Sequence, residues 1–391
     1  MLRAPFLFFS IFVYLRSSAV PTSFAGSITT LDGKRIEGVV AIDSKSALMV
    51  TPKTGPPQKI ELANLLHAEM DTASEETGMT RGVVLSDGTA LAAATFRRAD
   101  ADSVKLIPSM LSAEVSIKTV RVARILFGNS PPELLQSVPR GSNGVLLESG
   151  DFVEGEFVAL ENGKIKISSV LFGIQGFDAG RPAKAVVLRD TRPASGAFVV
   201  RLTDGSLLPA SAISLDRAAT QIEKTPFGTI PVKFEDIAEI SGGGNRIVSL
   251  TALKPSISGG PASLDGLAKQ SPPPTLVGLK KSPVNVVHLP ANVSVTYELN
   301  GDYVSFIAHV GVPAHLVPTQ RVQIVVLVDG QERFRSDDRT SVDDALPVAI
   351  SVRGAKGLTL QIHLDGNKSP QSSFGASAMW VDPLLTRVHG E

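Results

Sequence analysis

Trp380, the single tryptophan of the chain, stands in "SAMWVDPLLTRV" (377–388), two residues before Asp382. That pair could do one kind of chemistry well. A sugar is held by stacking its apolar ring face on Trp or Tyr and by hydrogen-bonding its hydroxyls to Asp, Asn, Gln or Arg; such a stack contributes roughly 1 kcal/mol beyond area burial. The tyrosines Tyr297 and Tyr303 fall in the same third of the chain, in "VTYELNGDYV" (295–304). Each residue also has a structural use. A Trp on a closing strand is a plug between two sheets, Tyr297 alternates with apolar neighbours as a core residue does, and Asp before Pro caps turns. Sequence alone leaves both uses open.

Catalytic chemistry finds no such foothold. There is no G-x-S-x-G elbow, no H-E-x-x-H and no P-loop, and the six histidines (His67, His288, His309, His315, His363, His389) are scattered, with no pair at metal-binding spacing. Carboxylates gather in "SDDRTSVDD" (336–344) and "RRADADS" (97–103), which read as solvated loops. Calcium, which takes hard oxygen ligands from loops, is the one metal the first run could hold, as a structural ion. A glycosidase needs two carboxylates held about 5–10 Å apart in a cleft, and no long αβ scaffold is present to host one. The chain reads as a non-enzyme without a cofactor. The sequons "NVS" (292) and "NKS" (367) match the glycosylation pattern, which carries little meaning if the protein is bacterial.

The elements that must position these residues are strands. Asp-Gly or its like between alternating hydrophobics recurs in "ITTLDGKRIEGVVAID" (28–43), "VVLSDGTALAAATF" (83–96), "VLLESGDFVEGEFVAL" (145–160) and "VRLTDGSLLPASAIS" (200–214). Such pairs predict β-hairpins with type I′ turns, which need positive φ at both central residues. After each hairpin come another β-rich pair and an apolar closing strand, so each unit reads as about five short strands. The pattern resembles small SH3-like or Sm-like barrels, with expected units at 26–72, 78–129, 140–191 and 196–241. Units so small bury little surface each and are expected to pack against one another, and their strand edges suit partner proteins.

"SGGGN" (241–245) reads as a flexible boundary, and "SISGGPASLDGLAKQSPPPT" (256–275) as a Gly-, Ser- and Pro-rich loop. Beyond it, "QRVQIVVLVDGQERFRSDD" (320–338) is a hairpin on Asp329-Gly330, and "LPVAISVRGAKGLTLQIHLDGN" (346–367) gives two more strands. Long alternating strands with tight turns predict a jelly-roll-like β-sandwich over 246–391. The whole chain is expected to be all-β.

At the other end, "MLRAPFLFFSIFVYL" has Arg3 in front of an apolar run from Pro5 to Leu15, then small residues at Ser23 and Ala25. This reads as a signal peptide over 1–25, too short in its apolar run to span a bilayer. The chain's 391 residues include no cysteine, which leaves no lipobox for lipid attachment, no disulfides and no thiolate metal sites. Its 38 basic and 38 acidic residues balance, against a nucleic-acid or anionic-membrane footprint. The mature chain is expected outside the cytoplasm, periplasmic or secreted, with no membrane span after cleavage.

The stretches "VTYELNGDYVSFIAHVGV" (295–312), "VVLVDGQERFRS" (325–336), "VRGAKGLTLQI" (352–362) and "WVDPLL" (380–385), with "IVSLTALKP" (247–255) upstream, resemble the NPCBM family. That family is a carbohydrate-binding module found on exported bacterial glycosidases and related proteins. The resemblance covers roughly 246–388 and implies a sandwich that binds carbohydrate. It also points to His288, which precedes the Tyr strand in "VNVVHLPANVSVTYEL" (284–299), so the candidate carbohydrate contacts are Trp380, His288 and Asp382. Two departures matter: the family's acidic and His residues before its Trp are here "ASAMW" (376–380), and the glycines leading to the His are missing. The expected function is therefore an exported, non-catalytic carbohydrate-binding protein. Its alternatives are an envelope scaffold whose sandwich has lost its sugar site, with envelope proteins as partners, and a non-catalytic subunit of a polysaccharide-degrading assembly.

Overall fold

The computed structural model describes residues 23–71, 79–110, 113–128, 134–135, 138–259, 276–279, 285–316, 321–364 and 376–387. Most of the expected signal peptide lies outside them. Its last three residues, Ser23–Ala25, pair with Val39–Ala41 in the first strand, so cleavage before Gly26 would remove the start of that strand. The fold is all-β: among the described residues every named helix is a three-residue 3₁₀ turn.

Residues 23–70 form β1 (Ser23–Thr30), β2 (Arg35–Ser44), β3 (Ala47–Pro52), β4 (Gln58–Glu61) and β5 (Leu65–Met70), in spatial order β5-β1-β2-β3-β4. The order recurs in β6 (Arg81–Leu85), β7 (Ala90–Asp100), β8 (Ser103–Pro108), β9 (Val115–Lys118) and β10 (Val122–Phe127). It recurs again in β11 (Gly144–Leu147), β12 (Phe152–Glu154), β13 (Glu156–Glu161), β14 (Lys164–Ser169), β15 (Gly173–Asp178) and β16 (Ala183–Val187), where Gly155 divides the second strand into two. The fourth set is β17 (Phe198–Leu202), β18 (Leu207–Ala210), β19 (Ala212–Ser214), β20 (Thr220–Thr225), β21 (Gly228–Val232) and β22 (Ile237–Ser241), divided at Ser211.

One turn is used in all four sets, and it is not the expected type I′. Gly33, Gly88, Gly150 and Gly205 have φ between +84° and +92°, but the residues before them do not have positive φ. Each glycine donates its N–H to the carbonyl three residues back (Thr30, Leu85, Leu147, Leu202). That is a type I turn closed by a left-handed glycine, the bulged hairpin that follows the two-residue loops in frequency. Type I′ geometry, positive at both positions, occurs at Asn162-Gly163, Asn300-Gly301 and Asp329-Gly330.

The four sets do not close into separate barrels. Instead, their edges join. The last strand of the first set pairs antiparallel with the last strand of the fourth (Glu239↔Glu69, Ile240↔Ala68, Ser241↔His67), and β10 pairs with β16 in the same way (Arg124↔Val187, Ile125↔Val186, Leu126↔Ala185). Further pairings of β7 with β13 and β18 complete a 19-stranded network. One buried cluster runs through it from Ile28 to Ile240. A small unit that cannot fill its own interior gains burial by sharing one. The opposition of Glu239 and Glu69 across β5 and β22 would repel; Glu239 is held by Arg201 Nε at 3.2 Å and His67 Nδ1 at 3.4 Å.

The sandwich comprises β23 (Ile247–Ser249), β24 (Pro255–Ser258), β25 (Val286–Pro290), β26 (Ser294–Glu298), β27 (Tyr303–Gly311), β28 (Val322–Val328), β29 (Gln331–Arg335), β30 (Leu346–Ser351), β31 (Gly357–Leu364) and β32 (Ser377–Arg387). Its first sheet is ordered β30-β27-β32, with β23 and β25 end to end along the far side of β32; its second is β24-β26-β31-β28-β29. The Asp329-Gly330 turn makes the expected hairpin, whereas Asn300-Gly301 and "GAKG" carry the chain from one sheet to the other.

"SGGGN" is packed, which corrects the expectation of a flexible boundary. Gly242 donates to Leu66 O, and a Cβ on it would meet Leu65 O at 2.4 Å; Gly243 has φ +89° and abuts Ile247 and Leu31. Arg246 staples the junction, donating from Nη1 to Ala63 O at 2.9 Å and from Nε to Arg387 O at 3.2 Å. The β1–β2 turn then presses onto the outer side of the first sheet, where Leu31 O accepts hydrogen bonds from Ser305 Oγ (2.6 Å) and Thr386 Oγ1 (2.8 Å). His309 lies on that side too, with its pKa lowered by burial and then by Arg35, against the opposing pull of Asp382.

Two outcomes follow. The double variant Ser305→Ala/Thr386→Val leaves the Leu31 carbonyl buried without a donor, and denaturant unfolding is expected to show a loss of about 1–3 kcal/mol. Because folding depresses the His309 pKa, the unfolded chain binds the proton more readily below the ordinary histidine value of 6.5. The unfolding free energy should therefore fall as pH drops through that value, by no more than about 1.4 kcal/mol per pH unit, and His309→Asn should remove that component.

Candidate functional site

Trp380 is fully buried between the sheets, tilted 51° against Phe306 at 5.8 Å between ring centres. No face of its indole is open for a sugar to stack on. Tyr297 is equally enclosed, and burial pushes its phenol up to about 12. Tyr303 is buried beneath the Arg387 guanidinium, 5.5 Å from its ring centre. All three aromatics are used for packing.

The bulge at Asp382 explains how β32 achieves this. Trp380 and Leu385 both enter the core although five positions separate them, which strict alternation forbids. Asp382 has φ +47°, and the register against β27 slips between Ile307↔Leu384 and His309↔Val381. Two residues there oppose one, the strand flips face, and Pro383 is tolerated at a bulge. Asp382 N donates to Asn285 O at 2.8 Å, and its Oδ1 accepts from Asn285 N at 2.9 Å. Asp382 thus fastens the chain entering β25.

His288 points the other way from Trp380: Trp380 pairs with Val287, whereas His288 pairs with Met379. It is buried, with Nε2 2.7 Å from Ser377 Oγ. Ala376, Ser377, Ala378 and Met379, which replace the acidic and His residues of the resembling family, are all buried, and Met379 joins an apolar cluster with Leu276 and Val381. The three sequence candidates therefore share a strand pair and do not converge.

The carboxylate runs hold backbone. Asp343 accepts from Thr340 N (2.7 Å) and Oγ1 (2.8 Å), which lower its pKa, and Asp100 does the same for Asp102 N and Ser103 N. Among the described residues no three metal-capable side chains gather. His389 lies outside them.

The convergence of polar side chains is elsewhere, on the outer face of the second sheet. There Arg335 donates to Gln323 Oε1 (Nη1, 2.9 Å) and to both Glu332 oxygens (2.9 and 2.6 Å), while Gln323 Nε2 donates to Asp338 at 2.9 Å. One strand over, His363 Nε2 lies 3.1 Å from Gln361 Oε1, and the hydroxyls of Thr296 and Thr359 meet at 2.9 Å. Val325, between Gln361 and Arg335 in register, is buried beneath this layer. The Arg335 hydrogen bond lowers the Glu332 pKa, so the carboxylate is ionised over a wide range. The first sheet's outer side is covered by the β1–β2 turn; on this one, among the described residues, Glu332, Arg335, Asp338 and His363 are exposed. Alternation in "GLTLQIHL" (357–364) marks Thr359, Gln361 and His363 as one face, but their neighbours on β28 and β29 follow from strand register alone. A separate cleft of about 430 Å³ lies between β9 and β21, lined by Ile117, Lys118, Arg121, Phe227 and Ile230 among others.

Comparison with known proteins bears on the sandwich. No curated protein matches the chain. Among solved structures, similarity is found to a CBM51 module from Clostridium perfringens GH95 in complex with methyl-galactose (27% identity, 36% of this chain, 99% of that one, TM-score 0.30). It is also found to the CBM51-2 and INT domains of Clostridium perfringens ZmpB in complex with GlcNAc (14% identity, 56% of this chain, 44% of that one, TM-score 0.32). A third is the tandem CBM51 modules of Sp3GH98, a family 98 glycoside hydrolase from Streptococcus pneumoniae (12% identity, 78% of this chain, 88% of that one, TM-score 0.30). The family model described as the NPCBM/NEW2 domain matches residues 287–386, the sandwich from β25 to β32.

Proposed function

We propose that this is an exported, non-catalytic protein whose sandwich recognises carbohydrate on the open outer face of its second sheet. The observation that carries the reading is the NPCBM/NEW2 match over residues 287–386. The face supplies what hydroxyl-rich ligands need: a guanidinium, carboxylates, amides and hydroxyls already held in position by one another. Charge-assisted hydrogen bonds from such groups are roughly twice as strong as neutral ones. With no aromatic platform among them, affinity for a single sugar is expected to be modest, and the ligand is a glycan that spans several contacts.

A second reading has a specific observation behind it. Trp380 is a core plug, and the Ala376–Met379 stretch is packed under apolar side chains. Both favour a scaffold of the cell envelope that keeps the sandwich without its sugar site.

A glycan array probed with the full chain separates the two. Binding to a defined sugar class is expected, with Arg335→Ala weakening it about tenfold or more through loss of a charge-assisted bond. Trp380→Phe is expected to leave specificity unchanged, while costing stability through an interior cavity of the kind that lowers unfolding free energy by a few kcal/mol. Silence across the array from folded protein would transfer the assignment to the scaffold.

A further inference from the structure

Each sheet edge in this molecule must be paired, blocked or hidden, because a bare row of N–H and C=O groups recruits other strands. Most strands with a single described partner carry a block. Pro231, Pro255, Pro290 and Pro347 interrupt β21, β24, β25 and β30; Lys59 and Glu61, Lys118, Glu154, and Glu332 to Arg335 put charge on β4, β9, β12 and β29; β19 and β23 are three residues long. The exception is β15, "GIQGFD", which pairs with β14 alone, has no proline, and has no charge before Asp178 at its far end. Its approach is apolar as well: Val170, Leu171, Phe172 and Ile174 are each at least 68% exposed. Gln175 Nε2 holds the turn by donating to Phe172 O at 2.7 Å.

A lipid surface would suit the tip and not the edge, since hydrocarbon leaves strand N–H and C=O groups unpaired. A strand suits both. We propose that β15 is a self-association edge, pairing antiparallel with β15 of a second copy of this chain. A two-fold axis normal to the sheet sets residues of the same facing opposite each other. Centred on Gln175, that register places Ile174 over the partner copy's Gly176 and Phe177 over its Gly173. Both glycines have nothing within 4 Å of where a Cβ would stand, so each has room for the large side chain opposite. The segment is self-complementary, large against small, on both sides of its centre. The chain already joins its own units by antiparallel edges, at β5·β22 and β10·β16. Paired copies would present two sandwiches at once, and bivalence raises the avidity of a weak glycan contact.

Light scattering of the full chain, taken up to roughly 100 μM to capture weak association, is expected to give twice the chain mass, and Ile174→Lys to halve it. Register is read by cross-linking, which a chain without cysteine makes clean. Gln175→Cys should form a disulfide-linked dimer under mild oxidation; Val170→Cys should not, because it lies in the turn beyond Gly173, whose own two copies would already stand about 13 Å apart along antiparallel strands, too far for a disulfide. A monomer throughout the range, a dimer indifferent to Ile174→Lys, or equal cross-linking at both positions would each overturn the proposal. So would a monomer that floats with phospholipid vesicles.

Discussion

An unpaired strand edge is the constraint from which the N-terminal half of this protein is built. A five-strand unit of the kind that repeats here is too small to bury a full interior and too open to leave its last strand bare. Both demands are met by one device. The closing strand of one set lies against the closing strand of another, first with fourth and second with third, and the interiors merge into a single cluster from Ile28 to Ile240. Pairing then dictates electrostatics. Setting β5 against β22 brings Glu69 opposite Glu239, and Arg201 and His67 are recruited to hold the second carboxylate.

The sandwich answers to a different requirement, the filling of the space between two sheets. Trp380 and Phe306 meet at its centre, and the left-handed Asp382 lets one strand deliver Trp380 and Leu385 to the same side. A residue that reads as a sugar contact is thus part of the strand's steering, and the polar groups a glycan could use sit on the opposite sheet. Packing and the exposed polar network occupy different layers.

Much of this was legible in sequence. Alternation and the Asp-Gly pairs located the hairpins, and the recurring spacing marked sets of about five strands, because both are set by local chemistry. What was not legible depends on partners far along the chain. The turns at Gly33, Gly88, Gly150 and Gly205 differ from the Asp329-Gly330 turn although the dipeptides look alike, because the hydrogen bonds of the flanking strands choose between one positive φ and two. "SGGGN" looks flexible by composition, yet its glycines are there because Leu65 O and Ile247 leave no room for a Cβ. Trp380 was ambiguous for the same reason: its type fits a core or a platform, and only the facing sheet decides. The Arg335–Gln323–Asp338 network needed the register of β28 and β29, which no single strand encodes.

The place of β32 in its sheet has a consequence for how the chain comes to be folded. It is the last of the described strands in sequence, yet it is the central one of its sheet, flanked by β27 on one side and by β23 and β25 on the other. It also carries Thr386 to the Leu31 carbonyl and Arg387 to Arg246. The first sheet, and with it the seam to the N-terminal array, cannot assemble until β32 has emerged from the ribosome. The N-terminal sets can form among themselves earlier, since domains fold as their own residues become available. The sandwich is therefore the last part of the described chain to assemble, and the seam to the N-terminal array is the last contact to close.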